Sequence, residues 1–110
     1  MGMTRPIPQA IRDKFNADPW YKKCCIADNH CDGHIQFHHN FTYAGKRTDD
    51  EEGILPACVY HHSKASVTDI KERFDLVMYL RGATQLSVKY PKIKDSLLTR
   101  FNYVFNKHAK

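Results

Sequence analysis

What the chain lacks narrows its class before any motif is read. It has no run of about 18 apolar residues, the length a membrane-crossing helix needs. Its opening stretch, MGMTRPIPQA, has no apolar centre of the kind a secretory signal requires, and Gly2 alone is weak evidence for a myristoyl group. The expectation is a soluble, unexported, cytoplasmic protein with no membrane partner. Internal repeats and low-complexity tracts are absent, so nothing suggests a repeat array or a biased, unfolded tract. Acidic residues are outnumbered, 12 against 17 Lys plus Arg, which leaves a formal charge of +5. That excess fits a polyanionic partner, yet it is also ordinary for solubility, and charge alone does not decide for nucleic acid.

At 110 residues the chain is expected to form one domain, 1–110, whose 42% apolar content can build a thin core. A domain of this size buries less of its surface than a larger one, so a bound metal would add usefully to its stability. The residues for one are present. Cys24, Cys25, Cys31 and Cys58 stand among seven histidines, and in a cytosolic chain that association favours metal over disulfides. A structural zinc ion takes four soft or borderline ligands in a tetrahedron, usually as two short-spaced pairs. Cys58 and His61, with two residues between them, make the downstream pair. The upstream pair is Cys31 with either Cys25 or Cys24, of which Cys25 is preferred. The competing reading is of reduced cysteines buried as small apolar residues.

The patterning is α+β. Residues 1–23 read as an N-terminal arm, with a short helix in QAIRDKFNAD set between Pro8 and Pro19, and with Trp20 and Tyr21 anchoring it on the core. IQFHHNFTY alternates as a strand, and AGKRTDDEEG follows as a polar loop turned at Gly45 and Gly53. The acidic run Asp49 to Glu52 in that loop reads as solvated, since consecutive carboxylates seldom converge on one ion. ILPAC reads as a second strand broken at Pro56, leading into a cysteine knuckle and helix at CVYHHSKAS. From Thr68, the spacing of Ile70, Phe74, Val77, Met78, Leu80 and Arg81 is helical, stopped by Gly82. Thr84 starts a short turn before Pro91. A last helix then carries Ile93, Leu97, Phe101, Val104 and Phe105 on one stripe, and both helices read as scaffold.

His38, His39 and His62 fall outside the zinc shell. Neighbouring strand residues point to opposite faces, so His38 and His39 address one point only across a twist or bulge. One of them could bind an ion with His62 while the other activates a water. His30, His34 and His108 carry no assignment. Lys46 and Arg47, just past the strand, suit phosphates as well as they suit plain solubility.

Taken together, CCIADNHCDG, HHNFTYAGKR and GILPACVYHH lie within residues 24–66, a little under half the chain. In order and spacing they resemble the HNH endonuclease superfamily, the ββα-metal nucleases, and within it the small zinc-containing proteins of phages and prophages. The resemblance implies a ββα-metal core over residues 24–67 stabilised by a structural zinc, with a C-terminal helical extension over 68–110. It implies metal-dependent hydrolysis of phosphodiester bonds in DNA, in the host cytoplasm if the chain is phage-encoded. His39 would be the general base. His38 and His62 would hold one catalytic divalent ion, Mg²⁺, Mn²⁺, Ni²⁺ or Zn²⁺, while His61 turns back to the structural zinc. Gly53 stands where the family often has asparagine, and Ser66 where some members have a third ligand. The alternative is a non-catalytic zinc module on the same scaffold, binding nucleic acid or a protein.

Overall fold

The arm, the sheet and the C-terminal helices meet at one strand. The computed structural model describes residues 7–108; Gly2, Pro6 and the final two residues of the helical extension lie outside that range. Helix α1 (Gln9–Asn16) follows Pro8 and is succeeded by a 3₁₀ turn, Pro19–Lys22, whose first free N–H, that of Trp20, is accepted by the Asp18 carboxylate at 2.9 Å. Phe15 stacks on Tyr21 at 4.0 Å, and the Tyr21 hydroxyl donates to the Ile54 carbonyl at 2.8 Å. The Arg81 guanidinium lies 3.8 Å from the Trp20 ring centre, so the arm is also held by a cation–π contact.

Strand β1 (Ile35–His39) pairs antiparallel with a strand far along the chain, Ile54–Cys58, with His38 opposite Leu55 and His39 opposite Ile54. Between them, β2 (Thr42–Tyr43) and β3 (Lys46–Arg47) form a tight hairpin, and Ile54–Cys58 is therefore β4. Ala44 and Gly45 both have positive φ, 54° and 76°, as a two-residue hairpin turn demands. The single strand expected over IQFHHNFTY thus divides. Asn40 still donates its N–H to the Gly53 carbonyl at 2.8 Å, carrying the β1–β4 ladder one bond further, and the chain leaves the sheet where Phe41 enters the core.

Two further expectations change. β4 is continuous through Pro56 and not broken there. The Pro56 carbonyl turns away from β1 to accept the Cys25 N–H at 2.9 Å, and a strand residue's nitrogen and carbonyl share a side, so the missing N–H costs the β1–β4 pairing nothing. The acidic loop is only partly solvated. Asp50 is buried, ion-paired with Lys89 and accepting the Tyr90 hydroxyl at 2.6 Å, while Glu51 pairs with Lys14 at 2.9 Å.

β4 runs into α2 (Val59–Ser63), completing a ββα unit; α3 (Thr68–Leu80), α4 (Gln85–Lys89) and α5 (Lys94–His108) follow. Gly82, at φ 90°, ends α3 and lets the Ala83 N–H reach the Met78 carbonyl. The core joins Phe41, Leu55 and Ala57 of the sheet region to Phe74, Met78, Leu97 and Phe101 of the helices. Phe105 was expected on the buried stripe, but it is 40% exposed and only edges Tyr79. The described residues form an α+β fold with five α-helices and two small antiparallel sheets. Among the described residues no helix is long and apolar enough to cross a membrane.

Candidate metal centre and histidine face

The candidate metal centre is built by two turns that face each other. Cys24 follows the 3₁₀ turn of the arm, and the chain then doubles back through Ala27 at φ 53°. Asp28 accepts the His30 N–H at 2.9 Å in a side-chain turn, which delivers Cys31. On the other side Cys58 caps α2, its sulfur accepting the His61 N–H at 3.4 Å, so one residue serves as cap and ligand. Gly33, at φ 85°, lets the backbone press on Val59; a Cβ there would lie 2.6 Å from a Val59 methyl.

The ligand atoms of Cys24, Cys31, Cys58 and His61 all lie within 4.8 Å of one another. His61 Nδ1 is 3.5 Å from Cys24 Sγ, 3.6 Å from Cys31 Sγ and 3.2 Å from Cys58 Sγ. Zn–S bonds of about 2.3 Å and Zn–N bonds of about 2.0 Å at the tetrahedral angle imply N···S edges of roughly 3.6 Å, so this donor set fits structural zinc. Burial raises the Cys58 thiol, but the backbone groups of His61 and Asp32, the His61 ring and Cys31 outweigh it and bring it down to about 6. A sulfur so placed is readily a thiolate, the form that binds metal.

The zinc assignment of Cys25 is corrected to Cys24. Cys25 spends its N–H on Pro56 and packs its side chain against the apolar core, where burial, and then the neighbouring Cys24, push its thiol up to about 12. Behind the cluster, His61 Nε2 lies 3.1 Å from Asp28 Oδ1 but off the hydrogen-bonding direction, and Asp28 pairs with Arg73 at 3.0 Å. The His30 N–H chiefly draws the Asp28 carboxyl down to about 2, against burial and helped by Arg73 and His61. Metal-bound imidazoles commonly have such a carboxylate behind them.

On the far side of α2 the sheet carries a histidine face. The His38 and His62 rings lie 5.1 Å apart, and His38 also rests on Phe74 at 4.7 Å. His62 Nδ1 meets Gln36 Oε1 at 2.6 Å, and His38 Nε2 meets Asn40 Oδ1 at 3.2 Å. Asn40 Nδ2 continues to Asp75 Oδ1 at 2.8 Å, and Asp75 is buried against Arg100. His39, next along the strand, is partly buried and feels the charges of Arg47 and Asp49. Burial, chiefly, lowers all three histidines, His38 to about 4, and Arg47 lowers His39 and His62 further. All three are therefore neutral at neutral pH.

His38 and His62 are thus neighbours, while His39 follows on β1, whose unbroken register with β4 carries no bulge to turn it onto the face of His38, though it feels the His62 charge. Among the described residues, however, only the Cys24, Cys31, Cys58 and His61 set brings three or more such ligand atoms together. Lys46 and Arg47 are exposed on β3, beside this face. Sequence reasoning passed over Gln36, Asn40, Asp28, Asp75 and Arg100. The one signal available was Asp75 itself, a carboxylate set between Phe74 and Met78 on the buried side of a helix.

Fold and site together define a small α+β protein with a Cys₃His cluster that could hold a metal ion. Comparison with family models, curated proteins and solved structures gave no match for this chain.

Proposed function

We propose that the protein is a metal-dependent endonuclease of the HNH type, hydrolysing phosphodiester bonds in DNA. The observation that carries this reading is the adjacency of His61 and His62 on α2. His61 points into the cysteine cluster, and His62 lies beside His38 at the end of β1. A zinc module with no chemistry would need the first histidine and not the other two.

His39, kept neutral by burial and by Arg47, accepts a proton from an attacking water. Arg47 and Lys46 attract and align the DNA backbone. His38 and His62 suit a divalent ion, because each has one ring nitrogen turned to a side-chain amide oxygen and the other left for coordination. Such an ion, when bound, supplies charge neutralisation at the phosphate and at the leaving oxygen. Two imidazoles favour Ni²⁺ or Zn²⁺ over Mg²⁺ or Mn²⁺.

Cleavage of supercoiled plasmid DNA by the zinc-loaded protein, with each of the four ions added in turn, tests the reading. We expect nicking by the wild type, and for His39→Ala a loss of at least about 100-fold, the scale of a missing general base. No cleavage with any ion would return the protein to the alternative of a zinc-stabilised binding module.

A further inference from the structure

Of the C-terminal helices, α3 and α5 do more than pack. Arg100 of α5 pairs with Asp75 of α3 and also approaches the Asn40 carbonyl at 3.5 Å. Asp75 Oδ1 accepts the Asn40 amide N–H at 2.8 Å, and Lys71 stands 3.6 Å from its other oxygen. A carboxylate only accepts, and this one is only 3% exposed, so it fixes which way the Asn40 amide faces. The nitrogen turns to Asp75 and to the Met78 sulfur, and the oxygen turns to His38 Nε2. A ring nitrogen facing an acceptor must carry the proton. The orientation set at Arg100 therefore passes through two side chains to the histidine.

We infer that Arg100, Asp75 and Asn40 are positioning residues that hold His38 as its Nε2–H tautomer and leave Nδ1 as the ring's open nitrogen. Nδ1 of His38 has no hydrogen bond among the described residues. Resting on the nuclease reading, this names Nδ1 as the atom His38 offers to an ion, and makes α3 and α5 part of the site. As a statement about the ring it holds without any added ion.

The test is long-range proton–nitrogen correlation of the histidine rings in the full, zinc-loaded chain, with no second ion added. In the wild type, His38 should show the unprotonated-nitrogen signal at Nδ1 only. The double variant Asp75→Leu/Arg100→Met removes both charges together, which avoids stranding one of them in the interior. In it the Asn40 amide is free to turn, and His38 should become a mixture of tautomers. A wild-type His38 that is Nδ1–H or already mixed overturns the inference, and so does an unchanged tautomer in a folded, zinc-bound double variant. If the double variant fails to fold, the wild-type spectrum still decides. Plasmid cleavage separates the two ideas: an inactive wild type with the Nε2–H ring refutes the nuclease and keeps the relay. An active wild type with the opposite tautomer does the reverse.

Discussion

Two adjacent cysteines do different work, and that difference can be measured. Cys24→Ser removes a sulfur from the cluster and should lower bound zinc well below one per chain in elemental analysis. Cys25→Ser should leave zinc at one per chain, because that side chain faces the core. Spacing could not choose between them, since both stand upstream of Cys31 in a segment without regular structure. The choice is made by a backbone hydrogen bond to Pro56, a contact between distant parts of the chain. His38 supports a second prediction. Its folded-state value of about 4 lies below the ordinary 6.5, so between those values the unfolded chain binds more protons. Stability is therefore full above about pH 6.5 and falls as the pH drops toward 4. The loss has an upper bound of about 3.5 kcal/mol, from roughly 1.4 kcal/mol per pH unit. Protonation of the cysteine cluster, and loss of any zinc it holds, would also act in acid, so the comparison is with His38→Gln. Denaturant melts at pH 7 and pH 5 should show the variant losing less stability than the wild type.

At the scale of elements, the ββα unit was legible because its parts are local: alternation gave β1, the ILPAC run gave β4, and the Cys58–His61 spacing gave the turn of α2. What was not legible depended on partners far away in sequence. The end of the strand follows from Phe41 entering the core, and the burial of Asp50 follows from Lys89 and Tyr90. The Arg100, Asp75 and Asn40 chain joins three elements, and no periodicity announces it. Gly53 acquires a packing reason. A Cβ there would lie 2.5 Å from the Phe41 Cβ, so an asparagine at this position would push Phe41 out of the core. Gly53→Ala should cost about 1–3 kcal/mol in denaturant unfolding, the usual scale of overpacking.

At the scale of the molecule, the cysteine cluster joins the arm side of the chain to the start of α2, while the helices close over the other side of the sheet. Chelation should therefore act unevenly. Structural zinc binding contributes on the order of 10 kcal/mol or more in small peptides, a scale comparable to the whole stability of a domain this size. With a strong chelator, hydrogen exchange should rise first over residues 24–34 and 58–63, ahead of the α3–α5 core. Uniform protection after complete zinc removal would show the cluster to be dispensable for the fold. The outer side of β4 carries a different consequence. Its Ile54 and Pro56 carbonyls are taken by the Tyr21 hydroxyl and the Cys25 N–H, and Pro56 has no donor to offer. A two-stranded sheet with a free apolar edge invites another chain to add a strand, the first step of edge-to-edge aggregation. Here that edge is blocked by the protein's own arm, so losing the arm's contacts would first show as self-association.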